Sequence, residues 1–388
     1  MDFLEKYELY ACLQCGKCTG GCPVALRAPL NIRSLMREVL LGGNPDTVLD
    51  HPALWDCTTC ATCTLRCPRG LKPAEFIVGL RGELVEGGRV PKTIINALEG
   101  TYKHGNPWGR ARQKRIEWKE GSEVKIIPED GEAEWLYFIG CAPSYDPRLQ
   151  GVPRTLCRIL DAAGVSFGIL GTKESCCGNE IRRMGEEGLF EELMEENTNH
   201  FRSSGARAIV TTSPHCFNVF GNEYDLNGLQ VLHYTQFLSG LLKEGKVQLP
   251  HTVKKKVVYH DPCFLGKQNG VFDPPREVLR AIPGIELIEF ERSRERSLCC
   301  EGGGGRMWVE GTGEGARNSE IRVQDAHAMG ADVIATACPF CLLTLEDGAK
   351  TTGLEEQVLI KDILELVGEA MGLCASRGCR RSPRLIFK

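Results

Sequence analysis

The chain has 388 residues, enough for two or three domains with cores of their own. Its 47 basic and 51 acidic side chains give a formal net charge of −4, which removes the electrostatic case for nucleic-acid binding. Twenty cysteines in a chain this long point to bound metal rather than to a disulfide scaffold.

The opening residues Met1-Asp2-Phe3-Leu4-Glu5-Lys6 carry charges where a signal peptide needs an apolar run. No stretch reaches the roughly 18 consecutive apolar residues of a membrane span. The expectation is a cytoplasmic protein with no transmembrane segment of its own, or one peripheral to a membrane through a partner. Two cysteine runs follow, Cys12-x2-Cys15-x2-Cys18-x3-Cys22-Pro23 and Cys57-x2-Cys60-x2-Cys63-x3-Cys67-Pro68. This is the bacterial ferredoxin run written twice. Short gaps wrap three thiolates around one face of a cubane, and the fourth cysteine, before proline, ligates the other cluster. The spacing therefore assigns one [4Fe-4S] cluster to Cys12, Cys15, Cys18 and Cys67, and a second to Cys57, Cys60, Cys63 and Cys22. Zinc is poorly served by this pattern.

Between the runs, residues 31–41 have helical periodicity through Ile32, Leu35, Met36, Val39 and Leu40, and Gly42-Gly43 ends the helix. Pro73 opens another helix through Leu84, closed by Gly87-Gly88. Residues 1–88 read as a helical two-cluster ferredoxin-like domain, and residues 89–132 as a linker. The linker is basic from Lys103 to Lys119, with Trp108 and Trp118 among the charges. Such a strap more often packs on its own protein than docks a partner.

From residue 133 short strands alternate with helices, the order of an α/β sheet with mostly parallel strands. Strands are expected at 135–139, 165–170, 208–212, 256–260, 285–290 and 332–336. Each cysteine group falls just after a strand, at the carboxyl edge where open α/β sheets place ligands. Corresponding cysteines are offset by 122 (Cys141 to Cys263), 123 (Cys176 to Cys299) and 125 (Cys216 to Cys341), an internal duplication. The expected lobes are residues 133–250 and 251–370, packed with their cysteine edges near each other. A basic tail, 371–388, holds Cys374 and Cys379 and reads as disordered. Cys157 reads as a core residue. The whole is α+β: a ferredoxin-like domain followed by two duplicated α/β lobes.

The second lobe gathers Cys263, Cys299, Cys300, Cys338 and Cys341. Adjacent thiolates such as Cys299 and Cys300 cannot easily chelate one small ion, but they can reach different irons of one cluster, so a structural zinc knot or disulfides are the weaker reading. Gly302, Gly303, Gly304 and Gly305 would let backbone approach an inorganic group and offer amides to its sulfurs. The first lobe keeps Cys141, Cys176, Cys177 and Cys216 but has Ser213 where the second has Cys338. Four cysteines suit an iron–sulfur or a zinc centre, with Ser213 or His215 as a further candidate.

The pattern of cysteine, about 35 residues, Cys-Cys, about 37 residues and Cys-x2-Cys resembles the CCG domain of heterodisulfide reductases. Cys15-Gly16-Lys17-Cys18-Thr19 and Trp55-Asp56-Cys57-Thr58-Thr59-Cys60 resemble the small iron–sulfur subunit of the same enzymes. Fused in one chain, the two resemble the D-type subunit. The resemblance implies a noncubane [4Fe-4S] cluster on the five second-lobe cysteines, with Cys299 and Cys300 as the place where a disulfide would be cleaved. In the soluble methanogen enzyme two such clusters face each other across the disulfide, and Ser213 departs from that arrangement. Relatives with this architecture also serve as electron-transfer subunits in benzoyl-CoA reductase and sulfate-reducer complexes, and in glycolate, lactate and glycerol-3-phosphate oxidation. The chain has no flavin or nicotinamide fingerprint. A flavin-containing subunit, within a multi-protein redox complex, is therefore the expected partner.

Overall fold

A computed structural model describes residues 2–119 and 123–373. The expectations for Cys374 and Cys379 lie outside the described residues. The N-terminal part is built on two helices, Ile32–Gly42 and Pro73–Glu86. In the first, Ile32, Leu35, Met36 and Val39 face inward, Asn31 Oδ1 accepts from the Ser34 amide, and Gly43 ends the helix in the left-handed region at φ +70°. The stretch read as a linker is itself structured. It contains the helix Lys92–His104 and the 3-10 turn Arg112–Lys119, which buries Arg115 and Trp118 against the rest of the protein.

Each lobe has a four-stranded parallel sheet. The first lobe contains β1 (Trp135–Phe138), β2 (Phe167–Gly168), β3 (Ala208–Thr211) and β4 (Gln230–His233), in the order β2-β1-β3-β4. The second contains β5 (Lys255–Tyr259), β6 (Ile285–Ile288), β7 (Val333–Thr336) and β8 (Leu359–Asp362), in the order β6-β5-β7-β8. The two orders are the same, as the cysteine offsets require. β2 is shorter than the 165–170 segment suggested. β4, β8 and the helices Tyr234–Lys243, Pro339–Thr352 and Ile363–Ala370 were not anticipated. β4 and β8 are edge strands with one exposed end, Gln230 and Leu359, so neither shows the unbroken apolar run of a central strand.

The lobes share one core, in which Val210 and Tyr234 meet Val257, Tyr259, Val333 and Ile363. Across it the Tyr234 hydroxyl donates to Asp362 Oδ1 at 2.8 Å, and Asp362 also caps the last helix at the Leu364 amide. Contacts that hold the ferredoxin-like part on the second lobe include Arg27 to Glu301, Thr312 to Asp56, Lys267 to Thr62 Oγ1, Gln268 to Thr59 O and Asn318 to Pro23 O. Arg81 ties all three bodies together. Fully buried, it donates to Leu54 O and Cys57 O of the ferredoxin-like part at 2.7 Å each, to Arg183 O of the first lobe at 2.8 Å and to Gly304 O of the second at 3.0 Å.

Arg81→Leu should lower stability by about 3 kcal/mol or more, because it strands buried carbonyls together. The midpoint of anaerobic urea unfolding measures this, and Arg81→Lys should recover only part, since an ammonium cannot reach all four acceptors. Asp362 gives a pH prediction. Burial pushes its carboxyl up to about 7, against the Leu364 amide and the Tyr234 hydroxyl. A carboxyl raised on folding contributes stability at low pH that is lost as pH rises through the folded value. Asp362→Asn should therefore flatten the decline in unfolding free energy between about pH 4 and 7.

Candidate metal centres

Both ferredoxin-type runs fold by the same local device. Gln14 and Gly16 in the first run, and Thr59 and Ala61 in the second, have positive φ (53°, 75°, 51° and 61°), which curls each loop around its cysteines. One cavity is lined by Cys12, Cys15, Cys18 and Cys67, three from the first run and the last of the second. Cys15 is exposed, and the other three are half-buried. Cys22, Cys57, Cys60 and Cys63 are buried. The Cys22 thiol is pushed up to about 12 by burial and by Cys60 and Cys57 beside it, so the last cysteine of the first run lies with the second run. Cys63 is raised by burial and by neighbours that include Cys22 and, across the gap to the first set, Cys18.

The five second-lobe cysteines converge at the carboxyl ends of β5 and β7. Cys300 and Cys341 have their sulfurs 3.3 Å apart, Cys299 is in hydrogen-bonding contact with Cys263 and Cys300, and Cys338 with Cys341. All five are buried. Burial alone would raise Cys338, but Cys341 and His215 outweigh it and bring it down to about 5. His215 comes from the first lobe. Its ring lies between Phe264 and Phe340, 4.3 and 4.9 Å away, and Nδ1 is 2.8 Å from Glu180 Oε1. Burial opposes its charge, but Cys338 and Glu180 push it up to about 10. His215 is thus turned to the second lobe's cysteines.

No motif in the sequence pointed to His260, which directly follows β5. One of its ring nitrogens lies within 4.8 Å of the Cys300 and Cys341 sulfurs. It is fully buried, and neither ring nitrogen has a hydrogen-bond partner. The glycine run also has more than one task. A Cβ at Gly302 would lie 3.5 Å from Cys300 Sγ, while one at Gly304 would strike Cys57 O at 2.7 Å. The Gly305 amide donates to Glu180 Oε2 at 2.8 Å.

The second ferredoxin set and the second lobe touch directly. Cys60 is in hydrogen-bonding contact with Cys299, which raises it, and Cys299 Sγ is 3.5 Å from Thr58 Oγ1. In the first lobe, Cys141, Cys176, Cys177 and Cys216 form a chain of sulfur contacts in that order. Ser213 stands beside them: a Cβ at Gly140 would be 3.4 Å from Cys216 Sγ and 3.9 Å from Ser213 Cβ. The buried Arg115 donates to Cys141 Sγ at 3.2 Å and to Glu174 Oε1 at 2.7 Å, and Glu174 in turn accepts from the amides of Ile139 and Gly140. Converging sulfurs in dry surroundings, with an orphaned imidazole at one set, fit iron–sulfur centres.

Residues 135–221 and 257–346 each match the cysteine-rich domain family CCG, and residues 8–71 match the 4Fe-4S dicluster domain family. The D-type subunit of dihydromethanophenazine:CoB–CoM heterodisulfide reductase from Methanosarcina barkeri is 34% identical over 72% of the chain and 68% of its own length. The chain belongs to the family of these heterodisulfide reductase D-type subunits. It is also 35% identical to the probable iron-sulfur-binding oxidoreductase FadF of Bacillus subtilis, over 95% of the chain and 47% of that protein. The EtfAB:quinone oxidoreductase of Syntrophomonas wolfei is 38% identical over 73% of the chain and 42% of its own length. The chain thus spans about half the length of these two relatives. The curated relatives it matches are named as an iron–sulfur-binding oxidoreductase and as heterodisulfide reductase subunits. Among the described residues, no helix is long and apolar enough to cross a membrane.

Arg115 is the residue of the first-lobe site whose loss should be felt most by the fold. Arg115→Met leaves the Glu174 carboxylate buried without its partner, at an expected cost of about 3–5 kcal/mol. Anaerobic urea unfolding reads this, and adding Glu174→Gln to the same chain should recover most of the loss.

Proposed function

We propose that the chain is an electron relay of the heterodisulfide reductase kind. It takes electrons one at a time from a flavoprotein partner and delivers them to the second lobe within a larger redox complex. In this reading Cys12, Cys15, Cys18 and Cys67 hold one cubane [4Fe-4S] cluster, and Cys22, Cys57, Cys60 and Cys63 the other. Cys263, Cys299, Cys300, Cys338 and Cys341 hold a noncubane cluster. The first lobe holds a different centre on Cys141, Cys176, Cys177 and Cys216, because Ser213 is a hard alcohol that seldom replaces thiolate on iron.

The observation that carries this reading is the contact between Cys60 and Cys299. Cys60, Cys263 and Cys299 pack in one buried cluster, which supports a direct step from the buried ferredoxin set to the second-lobe set. On the other side Cys12, Cys18 and Cys67 pack against the cluster that holds Cys22, Cys57 and Cys63, so the half-exposed first set adjoins the buried second set. A second reading, a complete disulfide reductase working at Cys299 and Cys300, needs a substrate to reach those sulfurs. They are 2% and 3% exposed, and the space at Gly303 and Gly304 is taken by the Cys57-Thr58 backbone, which favours the relay.

Metal analysis of the anaerobically purified chain should give about 12 irons with matching sulfide for three four-iron clusters, plus whatever the first lobe binds. A zinc-dominated preparation would sink the proposal. Cys22→Ser should damage the cluster of the second run, and Cys67→Ser that of the first, as read by electron paramagnetic resonance. If each change spoiled the cluster of its own run, the crossed assignment would be wrong. Cys338→Ser should abolish the noncubane signal. Turnover of a heterodisulfide with a viologen donor by the isolated chain would favour the reductase reading instead.

A further inference from the structure

The net charge of −4 conceals a strongly basic region. Residues 9–37 and 57–74 contain seven basic side chains and no acidic one. These segments carry the two ferredoxin runs. Of the seven, Arg27 is paired with Glu301. The other six, Lys17, Arg33, Arg37, Arg66, Arg69 and Lys72, are exposed and have no ion-pair partner among the described residues. Lys17, Arg33 and Arg69 line the same cavity as Cys12, Cys15, Cys18 and Cys67. Exposed apolar side chains stand in the same stretch: Tyr10 is 71% and Leu13 64% exposed, on either side of Cys12. An apolar patch rimmed by unpaired like charges marks a surface that meets another protein.

We propose that this face docks the acidic surface of a redox partner protein, over the first cysteine set. The proposal rests on the relay reading above and adds where the partner binds and what charge it presents. At each encounter the partner's reduced flavin is oxidised by one electron and the first centre is reduced by one; no covalent bond forms or breaks. The test uses the full chain with its clusters and, as probe, reduced flavodoxin, a small acidic flavoprotein, mixed anaerobically while the cluster absorbance is followed. The second-order rate should fall at least tenfold between about 20 mM and 0.5 M salt, since steering of this kind is screened. Arg37→Glu with Arg66→Glu and Lys72→Glu should cost about tenfold or more at low salt, converge with the parent at high salt, and leave reduction by the cationic methyl viologen radical as fast or faster. Lys254→Glu, just before β5, should have no effect. A salt-independent rate in the parent, which needs no variant, overturns the docking face, as does a triple variant as fast as the parent with flavodoxin. Absence of bleaching with viologen overturns the relay reading itself, and this proposal with it.

A separate observation concerns His260. The cysteine offset of 122 places Phe138 of the first lobe at the corresponding position, so the imidazole belongs to the second lobe alone. Two unsatisfied nitrogens in a fully buried ring are expensive to keep, and one of them faces Cys300 and Cys341. We infer that His260 is a positioning residue of the second-lobe centre, donating its imidazole N–H to a sulfur there. Such a bond raises a cluster's reduction potential. His260→Phe should therefore shift the second-lobe midpoint to lower potential in a redox titration followed by electron paramagnetic resonance. His260→Gln, which keeps a donor, should restore part of the shift. Pulsed resonance on protein labelled with 15N-histidine should show a nitrogen coupling that disappears in His260→Phe. A midpoint and coupling unchanged in His260→Phe, or a coupling lost only in His215→Phe, overturns the assignment. If His260→Phe fails to load iron, the labelled parent decides, and absence of any histidine coupling overturns it.

Discussion

A single buried guanidinium holds the arrangement of the cysteine sets in place. Arg81 lies on a helix of the ferredoxin-like part, stacked on Trp55 with its guanidinium carbon 4.9 Å from the ring centroid, and it donates to carbonyls in all three bodies. A charge with no exposure to water is tolerable only because every direction is filled by an acceptor or a π face. Arg81 also touches both sides of the joint that matters most. Cys57 O belongs to the second ferredoxin run, and Gly304 O to the loop that follows Cys299 and Cys300. The contact of Cys60 with Cys299 follows from that clamp, and the direct order of the cysteine sets follows from the contact.

Duplication supplied two sheets of identical order, but the surroundings of their cysteines have diverged. The first lobe has Ser213 and Phe138 where the second has Cys338 and His260. Its Cys141 sulfur meets Arg115, brought in by the strap between the domains. One of its histidines, His215, reaches out of it and into the second lobe, anchored by Glu180, which also accepts from Gly305. The first lobe has therefore become a support for the second as well as a site of its own.

Much of this was readable in the residues. Cysteine spacing is a strict code, because thiolates must reach a common point across short loops, and it announced the two runs, the duplication and the Ser213 departure. Central strands such as β3 and β7, buried at every position, showed as apolar runs. What the sequence hid has physical reasons. Edge strands β4 and β8 are half-solvated and mixed in composition. Arg115 and Arg81 look like ordinary surface cations, because nothing local reveals that distant carbonyls and a thiol will surround them. His260 sits three residues before Cys263 with the spacing of no ligand motif, and only the fold turns it toward Cys300 and Cys341.

The burial of the second-lobe centre bears on what kind of chemistry the fold permits. Electrons cross a few ångströms of packed protein, whereas a disulfide needs an open approach to the sulfurs. The glycines after Cys300 could in principle have left such an approach, since they carry no side chains. Instead that space receives the Cys57-Thr58 backbone, close enough at Gly304 that even a methyl group would collide. The same absence of side chains that would admit a substrate has been used to bring the ferredoxin loop against the second lobe. The joint is closed to molecules and short for electrons, which is why the relay is proposed over a reductase acting at these sulfurs.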